Sequence, residues 1–353
     1  MVRVLHIVDA RTSRDGLEQL ALLMGETDGV VSVGPGPRAD LPAPVTCVHC
    51  PMASPHLAAL RMRPATEGFD LLHAWSEPAR IAGRELALAT GRALVASLVC
   101  APPTRDTGRL REAVGPGLLT VTVPTRQARS VLIARGLPGR FVKVLPPAAP
   151  TSDDPAGARR RVRDALGLDK TARLAIVPDA MVRGAGHDFA CWAHAIVRQV
   201  TGNLPLLLPG GGAIERHVRS FASTTGYDDE VFFPGDRWPI DEALAAADLA
   251  LFFRERDVGV SAVAAAMAAG LPIAGSRTGD LVELVPDDRA AVLVPRRDPR
   301  AAAAAVWKLL QHPDLARRLG AEARQRVRDR LTPDAGRRRL AEIYAEAIEG
   351  KPF

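Results

Sequence analysis

Two series of short apolar segments, each alternating with longer segments of helical periodicity, constrain the fold of this chain most strongly. The apolar segments have strand length and are rich in Val, Ile and Leu, while the Ala- and Leu-rich segments between them repeat with a helical period. Strands that are apolar almost throughout and alternate with helices indicate parallel sheets covered on both faces. The predicted strands begin at Val2, Gly29, Val45, Phe69, Arg92, Leu118 and Val142 in the first series, and at Leu174, Leu204, Val231, Leu249, Leu271 and Ala290 in the second.

The two series are separated by PPAAPTSDDPAGA, residues 146–158, which fits no periodic element and predicts an interdomain linker. The predicted fold class is therefore α/β, with two Rossmann-like doubly wound domains facing a cleft. We expect residues 1–148 to form the first domain, completed by a C-terminal helix over residues 334–353, and residues 149–333 to form the second. In such sheets ligands bind at the carboxyl ends of the strands, so the loops that follow the strands are the expected site.

The overall composition is that of a globular protein with two cores, since 47% of the 353 residues are hydrophobic. No apolar run reaches the ~20 residues that cross a bilayer as a helix. The N-terminal MVRVLHIVDA predicts a buried strand rather than a signal peptide. We therefore expect a cytoplasmic protein.

The net charge of +6 rests on arginine, because lysine occupies only positions 143, 170, 308 and 351. The densest basic runs, residues 159–161 and 337–339, lie in helix-like stretches and are not interleaved with aromatic residues. They predict solvated helix faces and no nucleic-acid partner. An arginine-rich first domain would also suit peripheral contact with the inner face of an anionic membrane.

Four cysteines do not form a disulfide framework in a chain of this size. Cys47 and Cys50 have the spacing of a zinc knuckle, but no second ligand pair follows at zinc-finger distance. The segment VTCVHC alternates like a strand, so we expect no metal there.

One segment of the second series, AAAMAAGLPIAGSRTGDLVELV from residue 264 to 285, resembles a characteristic block of glycosyltransferase family 4. Further segments fit the family in order along nearly the whole chain, namely FDLLHAWSEP, LLLPGGG, VFFPGDR and AAADLALFF. This family comprises retaining nucleotide-sugar glycosyltransferases of the GT-B architecture. The resemblance implies a nucleoside diphosphate sugar as donor substrate, a glycan or lipid-linked acceptor, and neither cofactor nor metal.

The resemblance also implies where the donor binds. A departing nucleoside diphosphate gains negative charge, which cations and helix N-termini stabilise. Asp257 is expected at the catalytic position that addresses the sugar. The donor-binding residues that the family pattern implies are Gly16, Arg183, Gly211, Gly212, Ser261, Thr278, Gly279 and Glu283.

Several of these assignments have an alternative. Arg183 either contacts phosphate or is a solvated loop residue, and Glu283 either supports the donor site or packs at a helix end. Ser261 is expected to begin and cap a helix. His73, on the acceptor side, either contacts the acceptor or is part of the cleft wall.

Other family positions are substituted in this sequence. The family's phosphate-binding Arg falls at Asp179 or Ala180, and its Lys falls at Ala185. Its second Glu, which addresses the ribose, falls at Ala265, and its first-domain His falls at Val99.

Three acidic residues near these positions need separate interpretation. Asp257 keeps the charge of the family's first Glu with one methylene fewer, and Glu255 substitutes for it only if the loop carries an insertion. Asp15 replaces a glycine of the first domain, where we expect it to point away as a helix N-cap.

Two functions fit this pattern. The first is a glycosyltransferase, of the hexosyltransferase type, that moves a sugar from a nucleotide-sugar donor to an acceptor with retention. The second is a catalytically degenerate homologue that acts as a ligand-binding or partner protein.

Overall fold

The computed structural model describes residues 2–9, 12–33, 47–50, 55–102, 104–114, 119–150, 153–169, 171–287 and 289–350. The chain divides into two compact units, one formed by residues 1–148 with 333–353 and the other by residues 149–332. The boundary between residues 332 and 333 falls one residue before the predicted one, which lies between residues 333 and 334. No helix among the described residues is long and apolar enough to cross a membrane.

The first unit is built on a seven-stranded parallel sheet with the strand order β3-β2-β1-β4-β5-β6-β7. The strand order reverses at β1, with β2 and β3 on one side of it and β4 on the other, as in a Rossmann sheet. Its strands are β1 (Val4–Asp9), β2 (Gly29–Val33), β3 (Cys47–Cys50), β4 (Leu71–Ala74), β5 (Ala93–Ser97), β6 (Leu119–Val123) and β7 (Val142–Val144). Its helices are α1 (Arg14–Leu23), α2 (Pro55–Met62), α3 (Glu77–Thr90), α4 (Thr104–Val114) and α5 (Arg126–Ala134), to which the last helix of the chain is added.

The second unit repeats this plan with six parallel strands in the order β10-β9-β8-β11-β12-β13. The strands are β8 (Ala175–Ile176), β9 (Leu206–Pro209), β10 (Val231–Gly235), β11 (Leu249–Phe252), β12 (Ile273–Ser276) and β13 (Ala291–Val294). The helices are α6 (Pro155–Ala165), α7 (His187–Thr201), α8 (Glu215–Thr224), α9 (Ile240–Ala246), α10 (Ser261–Ala269), α11 (Gly279–Leu284), α12 (Pro299–Gln311) and α13 (Pro313–Arg330). Helix α14 (Pro333–Glu349) returns to the first unit.

The predicted fold class is confirmed, and each predicted strand is present. Several helices begin where the sequence offers an N-cap, because the side chains of Ser76, Thr125 and Asp298 accept hydrogen bonds from backbone N–H groups three residues later. The predicted linker is wrong in its second half. Helix α6 begins inside it, with Asp154 as N-cap and Pro155 in the first turn, and both residues are helix-start signals.

Helix α14 is tied to the first sheet through His73, which has no exposed surface. The Nδ1 atom of His73 lies 2.7 Å from the hydroxyl oxygen of Tyr344, and its Nε2 atom lies 2.8 Å from the hydroxyl oxygen of Ser97. The ring also stacks on Trp75 with a centroid distance of 4.3 Å. His73 is therefore a core residue with both nitrogens engaged, and the predicted contact with an acceptor does not fit this position.

A second histidine continues this buried polar network. Trp75 donates its indole N–H to Nδ1 of His6 at 3.1 Å, so the Nε2–H of neutral His6 is the donor toward Asp28, at 3.3 Å. The pKa of His73 lies well below its ordinary value because complete burial disfavours its charged form. The network thus holds His73 neutral inside the first unit.

We expect Tyr344→Phe to lower the free energy of unfolding by about 1–2 kcal/mol, because it leaves a buried histidine nitrogen without its partner. Chemical denaturation measures the change. The only other tyrosine, Tyr227, provides the matched control, since its ring contacts His194 and Arg198 and no hydroxyl hydrogen bond contributes to these contacts. Equal losses in Tyr344→Phe and Tyr227→Phe would contradict the role of the Tyr344 hydroxyl.

The depressed pKa of His73 also predicts a pH dependence of stability. Below its ordinary pKa of 6.5 the unfolded chain takes up a proton that the folded chain cannot hold, so the free energy of unfolding falls as the pH falls toward the lower folded pKa. The contribution of one histidine reaches about 1.4 kcal/mol per pH unit. Denaturation between about pH 7.5 and about pH 5.5 should show a shallower loss in His73→Gln than in the parent.

Three further titratable groups bear on how the measured stability depends on pH. Burial also lowers the pKa of His187 and His194 in the second unit, so part of the acid loss persists in the variant. Asp28 titrates below this range, because its pKa, despite burial, is lowered from 3.8 by its hydrogen bond with His6. An identical pH slope in the parent and in His73→Gln would refute the assignment.

Candidate functional site

The carboxyl ends of β8 and β9 carry two loops that are hydrogen-bonded to each other. The backbone N–H of Met181 donates to the carbonyl of Gly211 at 3.1 Å, and the N–H of Ile214 donates to the carbonyl of Met181 at 3.0 Å. Gly212, with a φ of 158°, lies so close to Met181 that a Cβ would overlap the Met181 carbonyl. The glycine segment predicted from the sequence is therefore packed against the loop after β8, where the resemblance implied phosphate-binding cations.

The loop after β8 also approaches the loop after β11. Gly186 has a φ of 80°, and a Cβ at this position would overlap the carbonyl group of Phe253. The next residue, His187, begins α7 and is buried, and its Nε2–H donates to the carbonyl of Asp179 at 3.2 Å. Burial lowers the pKa of His187, which is therefore neutral at this position.

A buried ion pair joins the same two loops. Arg254, two residues after the end of β11, donates Nε–H to Oδ2 of Asp179 at 2.7 Å and its Nη2 group to Oδ1. Asp179, one of the two positions expected for the family's phosphate-binding Arg, thus binds an arginine instead. Sequence reasoning missed Arg254. The sequence does place opposite charges just after β8 and just after β11. It does not show that these two strands are neighbours in the sheet, because that depends on the strand order.

Asp257 belongs to the loop after β11, and its carboxylate lies at the start of α11. Its Oδ1 atom accepts a hydrogen bond from the backbone N–H of Asp280 at 3.0 Å. Thr278 is the N-cap residue of this six-residue helix, and Gly279 is its first residue. The structure therefore brings Asp257, Thr278 and Gly279 together. One backbone amide at the start of α11, where phosphate was expected to bind, is instead hydrogen-bonded to the carboxylate of Asp257.

A groove of about 990 Å³ lies in the second unit beside these loops. The first turns of α7 and α8 line it, and neither helix has a side-chain N-cap hydrogen bond. The lining also includes Arg183, Arg216 and His217, and both arginines are exposed. Two helix N-termini and two cations make this surface suitable for an anion.

Two carboxylates moderate the charge of the groove. Asp188 accepts from Nε2 of His217 at 3.0 Å, and Glu255 accepts from Nε of Arg297 at 2.6 Å. Glu255 is therefore held by an arginine. Arg216 and His217 were not predicted, because the sequence pattern of α8 does not reveal which residues of its first turns face α7.

The remaining predicted residues of the second unit lie outside the groove lining. Ser261 is buried and begins α10, but the N-cap is Val260 and the helix has no side-chain capping bond, so the predicted cap is wrong. Ala265 is buried in α10 and lines a separate concavity of about 580 Å³, to which this helix contributes Ala265, Ala268 and Ala269. Glu283 is partly buried in α11.

In the first unit, Gly16 is buried in α1 and its N–H donates to Oγ of Ser13 at 3.1 Å. Ser13 is therefore the N-cap of α1, and the prediction that Asp15 caps this helix is wrong. The side chain of Asp15 lies outside the described residues, as do the side chains of Cys47 and Cys50. Within the described part of the chain, no group of three or more His, Cys, Asp or Glu side chains is placed to hold a metal ion.

The sequence matches one family model and several curated proteins. Residues 177–312 match the family described as glycosyl transferases group 1. The chain is 27% identical over 251 residues to the GDP-mannose-dependent alpha-(1-6)-phosphatidylinositol monomannoside mannosyltransferase of Mycolicibacterium smegmatis, covering 67% of this chain and 65% of that protein. It is 31% identical over 211 residues to the D-inositol 3-phosphate glycosyltransferase of Thermobispora bispora, covering 55% of this chain and 47% of that protein. These alignments span less than two thirds of either relative.

The structure is similar to solved glycosyltransferase structures over almost its full length. Anabaena Alr3699/HepE in complex with UDP-glucose superposes with a TM-score of 0.82 at 16% identity, covering 97% of this chain and 99% of that one. WaaG, a glycosyltransferase involved in lipopolysaccharide biosynthesis, gives a TM-score of 0.73 at 14% identity and covers 97% and 99% of the two chains. At such identities the likeness establishes the fold.

The close approach at Gly186 leads to a prediction. We expect Gly186→Ala to cost about 3 kcal/mol or more of unfolding free energy, because the Cβ adds a backbone overlap to a left-handed conformation. Gly202, at the other end of α7, is the matched control, since it has a φ of 73° with nothing within 4 Å of a Cβ. Gly202→Ala should cost only about 1 kcal/mol. Equal costs in thermal or chemical denaturation would show that the two loops are not in contact at Gly186.

Proposed function

We propose that this chain, which carries a group 1 glycosyltransferase domain over residues 177–312 in a protein of GT-B fold, transfers a hexose from a nucleoside diphosphate sugar to a glycan or lipid-linked acceptor with retention. The curated relatives are named for sugar transfer, one of them with GDP-mannose as donor, and a solved structure of the same fold holds UDP-glucose. These names support the class of reaction and of donor.

The observation that carries the proposal is the groove between the first turns of α7 and α8. The reaction separates a nucleoside diphosphate from a sugar, and the leaving group gains negative charge that the protein must stabilise. Arg183 and Arg216 bring two guanidinium groups to this groove, together with the N-terminal ends of two helices. In the proposed complex these groups hold the diphosphate, in place of the cations that the family pattern places at Asp179 or Ala180 and at Ala185.

The proposed role of Asp257 is compatible with its hydrogen bond to α11. Its Oδ1 atom holds the amide of Asp280, while a carboxylate offers further acceptor positions on its second oxygen for a sugar hydroxyl. Ala265 supplies no hydrogen bond to a ribose. A lost hydrogen bond of this kind weakens binding by about 1–3 kcal/mol, so we expect a modest nucleotide affinity.

A membrane location is also part of the proposal. One curated relative is named for a phosphatidylinositol mannoside acceptor, and the first unit is rich in arginine. We propose that the chain works at the cytoplasmic face of an anionic membrane. Sedimentation with vesicles containing anionic lipid tests this contact, and equal sedimentation with neutral vesicles would refute it.

Titration calorimetry with UDP, GDP and ADP tests donor binding. We expect at least one of them to bind, and Arg183→Ala and Arg216→Ala each to raise its Kd by about tenfold through the loss of a charged hydrogen bond. Arg317→Ala, which removes an exposed arginine of α13 outside the groove lining, is the control and should leave the Kd unchanged. Absence of binding by all three nucleotides at millimolar concentration would contradict the proposal.

Turnover separates the enzyme from a binding protein. Incubation with UDP- and GDP-sugars should release nucleoside diphosphate and, with an acceptor, give a product of unchanged anomeric configuration. Binding without any release from these donors would favour a catalytically degenerate homologue instead.

A further inference from the structure

Arg254 is the largest fully buried side chain among the described residues, and it binds two different segments at once. Its exposed fraction is 0%, and that of Asp179 is 4%. One edge of the guanidinium group, Nε with Nη2, faces both carboxylate oxygens of Asp179, while Nη1 donates to the carbonyl of Gly259 at 2.6 Å. The group also lies 5.0 Å from the centroid of the Phe252 ring.

The contact with Gly259 closes the loop that follows β11. Arg254 and Gly259 flank residues 255–258, so the arginine side chain ties the end of this loop to its beginning. The loop is also held from outside, because the N–H of Glu255 donates to the carbonyl of Gly184 at 2.9 Å and Nη2 of Arg256 donates to the carbonyl of Arg183 at 2.6 Å. Its conformation thus depends on the loop after β8, where Asp179 lies.

The closed loop carries Asp257. Since Oδ1 of Asp257 accepts from the N–H of Asp280, the position of this loop also sets the first turn of α11. A chain of contacts therefore runs from Asp179 through Arg254 and Gly259 to Asp257, and from there to the turn that carries Thr278 and Gly279.

We propose that Asp179 and Arg254 are a positioning pair, which fixes the loop of residues 255–260 and thereby places Asp257 and the first turn of α11 for donor binding. The pair acts through the loop, because a guanidinium with no exposed surface and a carboxylate as partner does not reach a phosphate. The effect of the pair on donor binding rests on the function proposed above, whereas its effect on the loop is independent of that function.

Only arginine has the geometry for this task. Lysine keeps the charge but has no fork, so it cannot face both carboxylate oxygens and the carbonyl of Gly259 in fixed directions. Arg254→Lys should therefore loosen the loop while leaving the charge of Asp179 balanced. Removing one charge alone leaves the other buried and unpaired, which destabilises the whole unit.

The test uses the full chain and two variants of the pair. Arg254→Lys removes the fork, and the double variant Asp179→Leu/Arg254→Met replaces both charges by apolar groups of similar size, an exchange that folded proteins often tolerate. The matched control is Arg198→Lys, since Arg198 also forms a two-pronged pair in the same unit, with Glu230, and lies in the last turn of α7, at the opposite end of this helix from these loops.

Amide hydrogen exchange without ligand is the first measurement. We expect exchange at residues 255–260 and at Asp280 to rise by about tenfold in both pair variants and to stay at the parent level in Arg198→Lys. Asp257→Ala is the positive control, because it releases the Asp280 amide directly. Parent-like exchange at Asp280 in a folded pair variant would overturn the proposal, and failure of both pair variants to fold would overturn it in favour of a purely structural role.

Nucleotide affinity is the second measurement. For whichever nucleoside diphosphate the parent binds, the Kd should rise by about tenfold in the pair variants and stay constant in Arg198→Lys at a matched melting temperature. An unchanged Kd alongside faster exchange would overturn the link to the donor. If the parent binds no nucleotide, the proposed function fails, and the exchange data still decide whether the pair positions the loop.

Discussion

The ion pair between Asp179 and Arg254 is the interaction on which the arrangement of the second unit's loops depends. It lies where the order of the sheet reverses, between β8 and β11, and at such a point the loops of neighbouring strands run in different directions. Two charges buried there are stable only when they are paired and hydrogen-bonded to each other. This requirement brings the loops together, and the missing Cβ of Gly186 allows their backbones to meet.

The fold was predictable because its signals are local and repeated. Each strand is a short apolar run, and residues such as Ser76 and Thr125 mark where helices begin. The resemblance to glycosyltransferases is confirmed, with a match to the group 1 glycosyl transferase model over residues 177–312 and curated relatives named as glycosyltransferases. The misprediction of the linker also has a local cause, because a Pro- and Asp-rich segment is compatible with either a loop or the start of a helix. In this segment it is the start of helix α6.

The candidate site was less predictable, because its contacts join residues far apart in the sequence. His73 illustrates this, since the hydroxyl that engages its Nδ1 atom belongs to Tyr344, 271 residues later. A histidine at a strand end is compatible with a ligand contact until a helix covers it. Arg254 was overlooked for the same reason, because its partner Asp179 is 75 residues away in the sequence.

The distribution of arginines shows how this chain differs from the family pattern. The resemblance implies a cation after the first strand of the second domain, at Asp179 or Ala180, and here Asp179 balances the charge of Arg254 inside the protein. The charges that remain for a ligand, Arg183 and Arg216, are exposed, where solvent and salt weaken them. Solvent screens the backbone amides at the starts of α7 and α8 less strongly. These amides must then contribute a larger share of anion binding. Those amides have fixed directions only while the loops are fixed, so a site with fewer buried cations depends more strongly on the pair that holds its loops.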